Sequence, residues 1–226
     1  MENTRDSLEL NINDFHLTEL LVAQEKSWNA LREIRKAIAP GITEAEGAKM
    51  ISDMLLELGS PRAWHYPLFR IGSNTAHPYH APVDQTRRLE ESDIFYLDIG
   101  PNWVGSDGVE YEGDVGQTYS LGNNPKHFDI IATNEKLFTE ACERWRNSEA
   151  SGLEIYQWLE YKAQSYGYLL VGDDDGHRVG AFPHKRIFSG GLTAAHFRPS
   201  SGIWVLEVHI CNKEKTYGAF FEDILI

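Results

Sequence analysis

Five side chains able to ligate a metal occur in a fixed order along this chain: Asp98, Asp114, His177, Glu207 and Glu222. Four are carboxylates in or beside short apolar runs. Asp98 sits in IFYLDIG, Asp114 in YEGDVGQTY, Glu207 in IWVLEVHI and Glu222 in AFFEDILI. A carboxylate flanked by Ile, Leu, Val and Phe is costly to bury unless a cation or a partner neutralises it. Four carboxylates and one imidazole make a hard, oxygen-rich donor set, and carboxylates can bridge two ions. The set therefore suits a pair of divalent metal ions, with manganese, iron, cobalt and zinc as candidates.

Local patterning supplies the elements that must position these groups. Residues 16–39 carry Leu20, Leu21, Ala23, Trp28, Leu31, Ile34 and Ile38 at helical spacing, and Pro40-Gly41 ends that helix. Thr43-Glu44-Ala45-Glu46 has the form of a capping box and starts a second helix to about Leu58, stopped by Gly59-Ser60-Pro61. Strands are predicted over 94–99 and 114–121, separated by a Gly-rich, acidic loop. A second helical pair follows, Lys126 to about Asn147 and then a helix capped by Ser151 with Glu154 that ends near Tyr166-Gly167. Strands resume at 168–171, 203–210 and 217–226. A helix pair followed by strands, twice over, predicts an α+β fold of two structural halves, although no repeat is visible residue by residue. The economical reading is one domain over 1–226, with 1–15 as an N-terminal extension.

The chain has 226 residues, 42% hydrophobic, which is enough for one large domain with a core. Its formal net charge of −13 disfavours nucleic acid and anionic membrane surfaces as partners. Part of that excess is functional if bound metal offsets the proposed ligands. Cys142 and Cys211 are far apart and outside any CxxC pattern, so they read as thiols in a reducing compartment. MENTRDSLEL is polar and acidic and does not read as a secretory signal. No apolar run approaches the roughly 20 residues that span a bilayer. The expectation is a soluble cytoplasmic protein.

The segments LDIG, EGDVGQTY, GHRVG, VLEV and FFEDILI resemble, in order, the five ligand-bearing segments of the pita-bread metallopeptidases, which include methionine aminopeptidase, aminopeptidase P, prolidase and creatinase. The resemblance covers about residues 20–226. Each segment alone is weak, whereas five in the correct order are specific. It implies two pseudo-symmetric halves of helix pairs and antiparallel strands around a dinuclear metal site. Asp98 would chelate one ion, Asp114 and Glu222 would bridge both, and His177 and Glu207 would complete the shells. It also implies that Glu207 takes a proton from the attacking water and passes it to the leaving nitrogen. His184, seven residues after His177, matches a non-ligand histidine that helps bind substrate and stabilise the tetrahedral intermediate. Lys185 stands where relatives often carry Glu. The chain is most similar to small, single-domain aminopeptidase-P-like members without the extra N-terminal domain of aminopeptidase P and prolidase. The family is often dimeric, which makes a homodimer one expectation; the sequence shows no interface.

Several positions stay open at this level. The family's other histidine, on the loop capping the pocket, falls in RIGSNTAHPYHAP, where His77 and His80 are both candidates and His80 is favoured. Asp98 and Asp114 are sixteen apart (98 to 114), a few more than usual. The excess falls in VGSDGVEYEG, read as a hairpin insertion at the pocket rim. Asp107 competes as second ligand, but the β-type run after Asp114 favours the latter. His209 shares a strand face with Glu207 and is either a metal-site neighbour or beyond its reach. Asp173-Asp174-Asp175-Gly176 reads as a solvated turn, since it lacks EF-hand spacing. Most of the tryptophans read as core, with Trp103 the candidate for the pocket wall; Arg70 and Arg198 are candidates for a substrate carboxylate, with surface ion pairing as the alternative.

Three functions compete. The first is a dinuclear metallopeptidase of aminopeptidase type that removes an N-terminal residue, with a residue ahead of proline, as in an Xaa-Pro substrate, as one candidate. The second is a metal-dependent enzyme acting on a small non-peptide metabolite, with creatinase-like C–N chemistry or a biosynthetic step. The third is a non-catalytic binding protein of the same fold.

Overall fold

A computed structural model describes Glu9 and residues 16–172, 175–182, 188 and 190–226. Of the expected extension 1–15, only Glu9 is described. Among the described residues four α-helices form where the patterning predicts them: α1 Leu17–Ala37, α2 Glu44–Glu57, α3 Pro125–Arg146 and α4 Gly152–Ser165. Both expected capping boxes are present. Thr43 accepts from Glu46 N–H while the Glu46 carboxylate accepts from Thr43 N–H, and Ser151 with Glu154 repeats the arrangement. Each satisfies two amides that the first turn leaves without partners, a contribution of about 1 kcal/mol.

The described residues also form eight strands, in chain order β1 Leu68–Ile71, β2 Ile94–Ile99, β3 Asn102–Val104, β4 Glu110–Glu112, β5 Val115–Ser120, β6 Leu169–Leu170, β7 Val205–Cys211 and β8 Gly218–Ile224. Six of them build one antiparallel sheet in the order β1-β2-β5-β8-β7-β6. The order reads as two mirrored triplets, one from each half of the chain, joined at the β5–β8 seam. This is the expected pair of halves, each with its own helix pair.

The two faces of the sheet have different tasks, because side chains alternate along each strand. Phe95, Leu97, Tyr119, Val208 and Phe221 fall on the face covered by helices. Phe221 packs on Trp28 of α1 and Phe138 of α3 at ring-centroid distances of 5.7 and 4.8 Å. Tyr96, Asp98, Glu207, His209, Phe220 and Glu222 fall on the opposite face.

Two elements depart from the expectation, one in its existence and one in its place. β1, at the sheet edge beside β2, was expected only as part of the pocket-loop region. The insertion after Asp98 does form a hairpin, β3–β4, but it packs against α1 rather than at the pocket rim: Trp103 Nε1 donates to Ser27 Oγ at 2.9 Å. Trp103 is therefore core and does not line the cavity that holds the candidate ligands.

Candidate metal centre

Strand register places the acids. Asp98 pairs with Gly116, Gly116 with Glu222, and Glu222 with Glu207, so one row crosses β2, β5, β8 and β7. Asp114 lies two residues before Gly116 and shares its face. Within that row Gly116 leaves a gap between carboxylates: a Cβ there would lie 3.2 Å from Glu222 Oε2 and 2.3 Å from the Phe220 ring.

His177 arrives from a loop that runs antiparallel to the start of β7. Val205 N–H donates to the His177 carbonyl at 2.8 Å, and Arg178 bridges Trp204. Gly176 permits this approach. Its φ of +96° lies in the left-handed region, and any Cβ would fall 2.2 Å from the Val205 carbonyl oxygen. His177 Nε2 then reaches Asp114 Oδ2 at 2.8 Å and Glu207 Oε1 at 3.8 Å. All five expected ligands line a single cavity of about 500 Å³.

The side chains meet the electrostatic conditions for divalent ions. Asp98, Asp114 and Glu222 are 5%, 1% and 2% exposed. Glu222 Oε2 is buried with no hydrogen-bond donor among the described residues. Burial first, and then the charges of Asp114, Asp98 and Glu207, push the Glu222 carboxyl well above the usual range. A bound cation would offset both the burial and the mutual repulsion of these carboxylates. Two groupings of metal-capable atoms, each within 4.8 Å, share Asp114: His65 with Asp98 and Asp114, and Asp114 with His177 and Glu222. The donor set, carboxylates with imidazole, fits divalent metal ions in its chemistry.

His65 was not anticipated. Its Nε2 lies 3.5 Å from Asp98 Oδ1 and 3.2 Å from Asp114 Oδ1. The signal available was a Trp-His pair just ahead of an apolar run, WHYPLF, and it points to the site only once β1 is paired with β2. Trp64, expected in the core, stands edge-on between His65 and His177, with ring centroids at 4.5 and 4.9 Å. Its Nε1 donates to the Gly113 carbonyl at 3.1 Å.

The other candidates separate clearly. His80 lines the cavity with Tyr79, whereas His77 does not. His184 and Lys185 lie outside the described residues, as do Asp173 and Asp174. Asp175 lines the cavity and accepts from Thr193 N–H at 2.5 Å. Asp107 caps its own hairpin, accepting from Tyr111 Oη at 2.7 Å and Val109 N–H at 3.0 Å, and is not a ligand candidate. His209 shares the ligand face, but its Nε2 is engaged by the Thr75 carbonyl at 2.7 Å, away from the cluster. Arg70 is buried against Glu44 and the 79–82 backbone, and Arg198 lies over the Trp145 ring. Neither lines the cavity.

The chain matches the model of metallopeptidase family M24 over residues 19–226. It belongs to that family. Among curated relatives it is 28% identical to a methionine aminopeptidase of Archaeoglobus fulgidus, over 66% of this chain and 47% of that one. It is 26% identical to a putative Xaa-Pro aminopeptidase of Mycoplasma pneumoniae, over 68% of this chain and 42% of that one. The chain thus spans under half the length of these two relatives. Among solved structures, an Xaa-Pro dipeptidase of Bacillus anthracis superposes with a TM-score of 0.73 at 20% identity, covering 97% of this chain and 59% of that one. A methionine aminopeptidase of Thermotoga maritima gives 0.71 at 16% identity, covering 92% and 91%. The fold of this M24 chain is the pita-bread fold. Among its described residues no helix is long and apolar enough to cross a membrane.

Proposed function

We propose that this M24 chain is a dinuclear-metal-dependent aminopeptidase that hydrolyses the N-terminal peptide bond of a short peptide. The observation that carries the reading is the row Asp98–Gly116–Glu222–Glu207 across four strands, with Asp114 and His177 closing over it at one cavity. Asp98, Asp114, His177, Glu207 and Glu222 hold the ions, and 16–226 acts as one catalytic unit. Two bound divalent ions supply an acidified water and a polarised substrate carbonyl.

The chain's own groups do the rest. The Glu207 side chain is 15% exposed, against 8% for Asp98 and 1% for Asp114, so it can face both water and the scissile bond. It takes the proton of the attacking water and returns it to the leaving nitrogen. His80, at the cavity wall, and His184 are the groups assigned to the substrate carbonyl and the tetrahedral oxygen. Trp64 and Tyr79 give the wall an aromatic surface for an apolar first side chain. The strands hold the carboxylates at fixed spacing, so little reorganisation is needed on substrate binding.

Methionine-initiated and Xaa-Pro peptides, incubated with the protein and manganese, cobalt, iron or zinc, test this directly. Release of the first residue with one of these metals is expected. A protein that binds metal yet cleaves none of them would instead support the small-molecule reading, and one that binds no metal the non-catalytic reading.

A further inference from the structure

His65 and His177 are held alike. In His177, Nδ1 faces the carbonyl of the next residue, Arg178, at 3.2 Å, and Nε2 faces Asp114 Oδ2 at 2.8 Å. In His65, Nδ1 faces the carbonyl of the next residue, Tyr66, at 3.0 Å, and Nε2 faces Asp114 Oδ1 at 3.2 Å. Each imidazole therefore places Nδ1–H on a backbone carbonyl, which leaves the Nε2 lone pair for a cation. The two rings flank Asp114, one on each oxygen, with the Trp64 indole between them.

The notch that admits His65 is built into β2's end. Gly100 follows the Asp98 strand, and a Cβ on it would lie 2.1 Å from His65 Cδ2 and 2.3 Å from Nε2. Backbone pairing on both sides fixes the approach: Leu68 opposes Asp98, Ala63 bridges Pro101, and Trp64 N–H donates to the Gly100 carbonyl at 2.9 Å.

We propose that His65 is a sixth metal ligand, giving the ion held by Asp98 an imidazole of its own. The inference rests on the dinuclear reading above. With His65, each ion has one nitrogen donor, and Asp114 lies between the two. An imidazole added to carboxylates moves that position away from manganese and towards iron, cobalt or zinc.

The test is metal binding by the metal-stripped 226-residue chain, read without turnover. Isothermal titration with cobalt(II) should give two ions per wild-type chain. His65→Ala and the more conservative His65→Gln should keep one ion at unchanged affinity and weaken the other about 10-fold or more. Gly100→Ala, which pushes the ring out of its notch, should weaken the same ion. Pulsed electron paramagnetic resonance of the manganese(II)-loaded protein should show one fewer nitrogen coupling in His65→Ala than in wild type. Circular dichroism and a urea midpoint establish that each variant folds. Wild type with two ions, and folded His65 variants with the same stoichiometry, affinity and nitrogen couplings, would overturn the ligand assignment while leaving the dinuclear reading intact. Wild type with no ion would overturn both.

Discussion

Gln24 grips the main chain of Asp114 with both ends of its amide. Nε2 donates to the Asp114 carbonyl at 2.6 Å and Oε1 accepts from the Asp114 N–H at 2.9 Å. The same Nε2 reaches Asp223 Oδ1 at 2.8 Å, so one residue of α1 ties together the β5 and β8 sides of the site. A helix packed on the opposite face of the sheet thereby sets the position of the central carboxylate.

Replacing Gln24 by Leu should leave two buried backbone groups without partners. The cost expected is about 2–4 kcal/mol, together with weaker binding of both ions, since Asp114 serves both. Urea unfolding of metal-free protein and cobalt titration measure the two effects; a stable variant with wild-type metal affinity would show that the grip is dispensable.

Glu207→Gln should abolish turnover, because the amide cannot take up the proton of the attacking water. Steady-state rates on the best peptide substrate decide this, and a near-normal rate refutes the assigned role. His184→Ala should lower turnover and leave metal content intact by elemental analysis. Loss of metal in that variant would place His184 among the ligands instead.

The metal-free site should make stability fall with rising pH. Burial disfavours the charged imidazoles, but Asp98 and Asp114 around His65, and Asp114 and Glu207 around His177, outweigh it and push both up to about 9. Their contribution is full below about 6.5, the unfolded value, and is lost as pH rises through about 9. Glu222, raised above the usual carboxylate range, acts in the same direction from its own unfolded value upward. Asp114, which burial would raise but His177 and His65 hold well below that range, acts oppositely and loses its contribution only in strong acid. Urea midpoints of metal-free protein should therefore drop between pH 6.5 and 9.5. Because ligation needs neutral imidazole, metal binding at pH 7 should release protons, seen as a dependence of binding heat on buffer ionisation enthalpy. A flat midpoint, or heats independent of buffer, would count against this charge arrangement.

The cavity loop hangs on a buried ion pair. Arg70 donates to the carbonyls of Tyr79, Ala81 and Pro82 at 3.0, 2.6 and 3.1 Å. Glu44, 3.5 Å from Arg70 Nη1, accepts from the N–H groups of Ile71 and Asp84 at 2.9 and 2.8 Å. Arg70→Met should cost about 3–5 kcal/mol, because Glu44 is left buried without its cation. It should also raise KM more than it lowers kcat, since Tyr79 and His80 ride on this loop. Hydrogen exchange over residues 79–84 should speed up; unchanged exchange would mean that the loop holds itself.

The amino-acid sequence alone determined a good deal here. Carboxylates embedded in apolar, strand-forming runs are chemically anomalous wherever they occur, so Asp98, Glu207 and Glu222 stood out without any tertiary information. The capping boxes at Thr43 and Ser151 are local chemistry, and both helices begin where that chemistry puts them. What only the tertiary structure decided is contact across distant pairings. β1 is four residues long, with no alternation to announce it, so nothing local tied His65 to Asp98. The pairing of Leu68 with Asp98 and the notch at Gly100 did so. Trp64 and Trp103 exchanged their expected places for the same reason. Indole chemistry is identical in a core and in a cavity wall, and only the packing of the β3–β4 hairpin on α1 put Trp103 in one and left Trp64 in the other.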